Sequence, residues 1–89
     1  MITVHAVPHK FNHFITVRDI PEEHHELKTK INEAMHYIIH DDNYIQYNGS
    51  FGFVFDLHDD STFEWAAELK KLLPLSLIAR EKTIAILMD

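Results

Sequence analysis

The sequence predicts an α+β fold of the ferredoxin-like type, a βαββαβ two-layer sandwich with one extra N-terminal strand. Three observations predict it. The Asn48-Gly49 pair lies between two alternating apolar runs, which is the strongest short-range signal of a β-hairpin. Amphipathic helical patterns flank that hairpin, and the chain ends in a continuous apolar run, Thr83–Met88. From Asn12 onward the order is that of a split βαβ sheet with both helices on one face.

Two strands are expected before the first helix. Ile2–Val7 alternates its side chains, and Asn12–Arg18 is rich in β-branched and aromatic residues. In the second of these strands the core face is expected to carry His13, Ile15 and Val17. We expect the N-terminal strand to extend an edge of the sheet or to pair with the second strand as a hairpin. The first and last strands of the βαββαβ unit are expected at the centre.

The first helix is expected to start at Asp19-Ile20-Pro21-Glu22 and to run to about His40. Asp19 is expected to cap it, and Pro21 suits its first turn because proline lacks an N–H group. Its apolar side chains share one stripe: Leu27, Ile31, Ala34, Met35 and Ile38. Asp41 is expected beyond the last turn, since acids oppose the dipole at a helix C-terminus.

The hairpin and the second helix are expected to complete the core. One face of the hairpin is apolar and should form the floor under both helices: Phe51, Phe53, Phe55 and Leu57. Gly52 within that strand predicts a bulge or a close approach of another backbone. The second helix is expected over Thr62–Leu73, started by a capping box at Ser61 and ended by Pro74. Leu75–Ala79 is expected to be a short strand or a buried connection.

Composition excludes several classes of function. The 89 residues are expected to form a single α+β domain, residues 1–89. The absence of cysteine excludes disulfide scaffolds, thiolate zinc sites and cysteine nucleophiles. No apolar run approaches the roughly 20 residues of a membrane span, so we expect a cytoplasmic protein without membrane binding. The net charge of −6 disfavours direct binding to nucleic acid.

Two groups of polar residues have the spacing of metal or catalytic sites. His36 and His40 are four residues apart on the first helix, a spacing that can place two imidazoles on one metal ion. Asp56, His58 and Asp60 alternate onto one side of a strand end, where they can hold a metal or act as acid and base. Solvent-facing histidines and turn-forming acids are the simpler interpretation. We therefore expect no cofactor, no metal and no catalytic residue.

The leading hypothesis for function is a non-enzymatic module that binds another protein. The strands carry more aromatic residues than one helix-covered face requires, so some of Tyr44, Tyr47, Phe11 and Phe14 are expected to point away from the helices. The candidate partner-binding residues lie in the hairpin and after it: Tyr44, Tyr47, Val54, Asp56, His58, Asp59 and Asp60.

The expected partner is a protein whose own site is basic, such as a nucleic-acid-binding protein or a nuclease, and a homodimer is a further option. Small acidic cysteine-free domains are common among phage-encoded inhibitors of bacterial defence proteins, and this class-level analogy favours an inhibitor. Two alternatives stay open. One is a ferredoxin-like regulatory domain that responds to a small molecule or a metal, and the other is an enzyme using Asp56, His58 and Asp60.

Overall fold

The structure is a computed structural model, which describes residues 2–6, 13–59 and 63–89. Within these residues one sheet is formed by five strands: β1 (His5–Ala6), β2 (His13–Thr16), β3 (Tyr44–Tyr47), β4 (Ser50–Asp56) and β5 (Thr83–Met88). The α-helices are α1 (His25–Ile38), α2 (Ala66–Lys71) and α3 (Leu75–Arg80), and short 3-10 helices span Val17–Asp19 and Glu22–His24. The protein is therefore α+β, as predicted. Several residues used in the predictions lie outside the described ranges: Val7, Pro8, Phe11, Asn12, Asp60, Ser61 and Thr62.

The strand order is β1-β2-β5-β4-β3, which differs from the predicted ferredoxin-like arrangement. The β2–β5 pair is parallel, and the other three neighbouring pairs are antiparallel. A ferredoxin-like sheet is antiparallel throughout, because a strand is inserted within each βαβ crossover. The ferredoxin-like order is therefore not confirmed. The order of elements along a chain leaves open which strand edges meet, and here β5 lies between β2 and β4 and runs parallel to β2.

The central position predicted for the last strand is confirmed. Ile84, Ala85 and Ile86 are fully buried, because β5 has a neighbouring strand on each side and apolar cover on each face. The first strand of the predicted unit, β2, is also interior, since β1 pairs with its outer edge. That pairing is the expected N-terminal hairpin, although β1 is only two residues long.

The hairpin turn is formed as predicted. Asn48 and Gly49 both have positive φ, 52° and 86°, as the two-residue type I′ turn requires, and Tyr47 pairs with Ser50. Gly52 marks a close approach of another backbone, which the sequence also predicted. A Cβ atom at Gly52 would lie 1.9 Å from the carbonyl oxygen of Ile86 on β5.

The core lies between the helices and one face of the sheet. Phe53, Phe55 and Leu57 are buried there, as predicted, and Trp65 stacks on Phe55 with ring centroids 5.5 Å apart. The prediction for Phe51 was wrong, since 43% of that residue is exposed. Phe51 is next to the hairpin turn, beyond the region that the helices cover.

The helix boundaries differ from the predictions at both ends of the first helix. Glu22–His24 forms a 3-10 turn, and α1 begins only at His25. Asp19 does not cap α1. Its carboxylate accepts hydrogen bonds from the backbone N–H of Thr16, at 2.9 Å, and from the Thr16 hydroxyl, at 3.0 Å. Asp41 lies beyond the last turn, as expected.

The segment after Pro74 is a helix, so the prediction of a strand or buried connection there was wrong. The carbonyl oxygen of Pro74 accepts the N–H of Leu77, at 3.1 Å, and this bond starts α3. Pro74 thus follows α2 and is the N-cap residue of α3. A short apolar run cannot be assigned to strand or helix from periodicity alone. Over the described ranges, no helix has both the length and the apolar character needed to cross a membrane.

Candidate functional site

The sheet has a second face that the main core does not include. We call it the open face, and we define it by the strand side chains that alternate away from the helices: Phe14, Ile45, Tyr47, Val54, Ala85 and Leu87. Ala85, Phe14, Ile45 and Tyr47 form a small apolar cluster separate from the core under the helices. The open face is therefore an apolar surface made by strands alone.

Aromatic rings meet across the open face. Phe14 on β2 and Tyr47 on β3 have ring centroids 5.7 Å apart, although β5 and β4 lie between their strands. The rings can approach because the residues beneath them are small. Ala85 pairs with Phe14, and Gly52 lies on β4 without a side chain. The rings cover Ala85, which is fully buried although none of the described helices lies over it.

The imidazole of His5 extends this row of rings at the β1 edge. It stacks on Phe14 with centroids 4.8 Å apart and an interplanar angle of 25°. Its Nε2–H donates to the Asp19 carboxylate at 3.0 Å. The short strand β1 is therefore attached to the sheet by a side-chain hydrogen bond and a ring contact as well as by its two backbone pairs.

The open face carries little charge. No charged residue occurs from Asn43 through Phe55, a stretch that contains the whole hairpin apart from its last strand residue. Among the described strand residues that alternate onto this face, Asp56 is the one acid, and no lysine or arginine is present. Phe14, Tyr47 and Val54 are half-buried, so their apolar atoms remain partly accessible.

The two tyrosines proposed to bind a partner, Tyr44 and Tyr47, lie on opposite faces of the sheet. Tyr47 and Val54 are on the open face, as the prediction requires. Tyr44 packs at the border of the main core, on the opposite face of the sheet. Its ring centroid lies 6.4 Å from that of Phe51, and its hydroxyl accepts a hydrogen bond from the Gln46 amide at 3.0 Å. Residues three apart on one strand point to opposite faces, so Tyr44 and Tyr47 cannot share one flat site.

The acidic end of β4 has structural contacts. Asp56 accepts the backbone N–H of His58 at 2.7 Å, and the His58 Nε2–H donates to the carbonyl oxygen of Glu81 at 3.1 Å. Since a carbonyl only accepts, the proton of that bond belongs to Nε2. The Asp56 carboxylate thus closes the turn that follows β4, and the His58 ring links that turn to Glu81, before β5. Asp59 is half-buried beside them, and Asp60 lies outside the described residues.

A cleft of about 280 Å³ opens between the C-terminal end of α1 and the ends of the central strands. Polar and apolar side chains line it: Ile38, Asp41, Asn43, Val54, Phe55, Asp56, Asp59, Phe63 and Thr83. The Asp41 carboxylate accepts the backbone N–H of Asn43 at 2.8 Å. In the described part of the chain, no three His, Cys, Asp or Glu side chains come together as a metal site, and His36 and His40 are exposed.

No protein-family model, no curated protein and no solved structure matches this chain. The sequence indicated Tyr47 and Val54, and it included Phe14 among aromatics that could point away from the helices. It did not indicate Ile45 or Ala85. Alternation assigns a face to each residue, but the meeting of Phe14 with Tyr47 depends on strand order, for which the sequence carries no local signal.

Proposed function

We propose that this protein is a non-enzymatic protein-binding module and that the open face is its binding surface. The observation that carries the proposal is the pair of half-buried rings, Phe14 and Tyr47, 5.7 Å apart on a sheet surface outside the main core. Interface centres are enriched in aromatic residues and depleted of charge. Preformed rings also lose little conformational entropy on binding, which suits them to be anchor residues.

The charge of the chain supports a protein partner over RNA. Aromatic side chains on a sheet can stack bases, but that mode of binding depends on nearby basic residues that contact the phosphates. The hairpin strands that contribute Ile45, Tyr47 and Val54 contain no basic residue, and the chain has a net charge of −6. An RNA backbone would meet a neutral surface within an acidic molecule.

We further propose that the partner is a protein with a basic site, such as a nuclease or another nucleic-acid-binding protein, and that binding inhibits it. Fourteen acidic residues against eight lysines and arginines would attract such a partner over distance, while the neutral open face would form the desolvated contact. An inhibitor of the phage anti-defence type, acting in the cytoplasm, would attract its partner through the acidic residues and contact it through the open face.

Alanine substitutions on the open face test the proposal. We expect Phe14→Ala and Tyr47→Ala each to weaken capture of the partner at least tenfold, which corresponds to about 1.4 kcal/mol, within the range of interface anchors. The matched control is Tyr37→Ala on α1, which removes a tyrosine that is 86% exposed. It should bind like the unmodified protein. Urea unfolding of all variants separates lost binding from lost folding.

Equal capture by Tyr47→Ala, Phe14→Ala and the unmodified protein would exclude the open face as the binding surface. Loss of binding by Tyr37→Ala alone would instead place the surface on α1.

A second candidate function is supported by the cleft next to α1. Its volume of about 280 Å³ suits a small ligand, and its aspartates would favour a cationic one. We propose regulation by a small molecule as the alternative. A ligand bound only by the folded state raises the melting temperature by mass action, so a thermal-shift series with polyamines and basic amino acids tests it. No shift with any of them at millimolar concentration would eliminate this candidate.

A further inference from the structure

Of the two edge strands in the described sheet, β3 is the one that lacks the usual protection against pairing with another strand. Edge strands are usually guarded against pairing by charges, proline, bulges or short length. At the opposite edge, β1 is only two residues long. In contrast, β3 has four residues, Tyr-Ile-Gln-Tyr, with neither charge nor proline, and it pairs with β4 in unbroken register.

The ladder determines which backbone groups of β3 face outward. The Val54 N–H donates to the carbonyl of Asn43 at 2.8 Å, so Asn43 and every second residue after it bond toward β4. The N–H and C=O of Tyr44 and Gln46 therefore point away from the sheet. The outward N–H of Tyr44 is already used, since it donates to the carbonyl of Asp41 at 3.0 Å. Gln46 is the residue left to form a new ladder.

We propose that β3 pairs with β3 of a second copy of this chain, antiparallel about a two-fold axis through the two Gln46 residues. In this register each Gln46 exchanges both backbone hydrogen bonds with its counterpart. Ile45 of one copy then lies opposite Tyr47 of the other on the open face, an aromatic–β-branched pair of the stabilising kind. An axis through Tyr44 is disfavoured, because its N–H is occupied by Asp41.

The absence of charge along β3 favours a second copy as the occupant, because two such strands pair without like-charge repulsion. Two chains of net charge −6 repel each other, and they can meet most easily where neither carries an acid. The uncharged run from Asn43 through Phe55 is that place.

The dimer would contain a ten-stranded sheet in which the two open faces adjoin. The contact between two four-residue strands is smaller than the roughly 800 Å² per partner of a standard interface, so the association should be weak and concentration-dependent. Self-association through the β3 backbone does not depend on the proposed function. It is measured separately from partner capture, so either can fail without the other.

Sedimentation equilibrium from about 5 µM to about 1 mM tests the dimer. We expect a monomer–dimer equilibrium, and Gln46→Lys should raise its dissociation constant at least tenfold by placing two lysines opposite each other. The control is Asn32→Lys, which makes the same change of charge at an exposed position of α1 and should leave the constant within twofold.

Hydrogen exchange on the unmodified protein gives a second measurement that needs no variant. The Gln46 amide should exchange more slowly as protein concentration rises across the monomer–dimer transition. Sedimentation as a monomer at every concentration would overturn the inference. A dimer unaffected by Gln46→Lys, with no change in Gln46 exchange, would also overturn it by placing the contact elsewhere.

Discussion

Replacing Gly52 by alanine should destabilise the protein more than any other single-methyl addition in the hairpin. A Cβ at this position would lie 1.9 Å from the Ile86 carbonyl oxygen, whereas the Cβ atoms of proteins essentially never lie within 3.0 Å of such a neighbour. The backbones of β4 and β5 would therefore have to separate by about 1 Å. Ladder hydrogen bonds near 2.9 Å would then be stretched to roughly 4 Å, beyond bonding distance.

The expected loss can be estimated from that separation. If about two buried ladder bonds break, at roughly 1–3 kcal/mol each for groups left unsatisfied, the free energy of unfolding falls by about 2–5 kcal/mol. This loss is a large part of the free energy of unfolding of a typical domain, which is roughly 5–15 kcal/mol. Urea unfolding followed by tryptophan fluorescence measures it, because the single Trp65 is in the core against Phe55.

Gly49→Ala is the matched control for this prediction. It adds the same methyl group in the same hairpin, where nothing lies within 4 Å, but at a φ of +86°. Gly49→Ala should lower the free energy of unfolding only by the strain of a left-handed residue, about 1–2 kcal/mol. A Gly52→Ala variant as stable as the unmodified protein, or more stable than Gly49→Ala, would refute the close approach of the two strands.

Two further predictions concern the core and pH. Trp65→Ala removes a ring stacked on Phe63 at 4.7 Å and should lower the free energy of unfolding by about 3–5 kcal/mol in urea; a change below about 1 kcal/mol would contradict the packing. A hydrogen bond from Lys28, at 2.6 Å, and its positive charge lower the pKa of Glu22. Because the folded pKa is the lower one, ionised Glu22 adds stability above its unfolded pKa, and this is lost as pH falls through the folded pKa. The melting temperature of Glu22→Gln should therefore fall below that of the unmodified protein near about pH 7 and match it in acid; a constant difference would contradict the pairing.

Local features of this fold were predictable, and long-range ones were not. The Asn48-Gly49 turn and the burial of β5 follow from chemistry within a few residues, namely positive φ and a continuous apolar run. The helix Leu75–Arg80 was not predicted, because six residues are too few for periodicity to distinguish it from a strand. The parallel orientation of β2 and β5, with β5 placed between β2 and β4, was not predicted, because these strands are distant in the chain and no turn between them determines it.

The candidate site shows the same limit. Alternation along β4 assigns Val54 to the face opposite Phe53 and Phe55, and the structure places it there. For the aromatic residues the sequence predicted only that some point away from the helices; of the tyrosines, Tyr47 does so and Tyr44 does not. The pairing of Phe14 with Tyr47 required knowledge that only small residues separate them on the sheet. Asp56 and His58 were chosen for their chemistry, but the structure uses both in hydrogen bonds that end a strand.

Binding of another protein by the open face is tested by immobilising the protein and capturing partners from a lysate of the native host. The unmodified protein, Tyr47→Ala and the control Tyr37→Ala are compared in parallel, with retained proteins identified and their binding titrated. We expect a saturable partner that is retained by the unmodified protein and by Tyr37→Ala, with binding to Tyr47→Ala at least tenfold weaker. Equal retention by all three proteins, or no saturable partner, would refute binding through the open face.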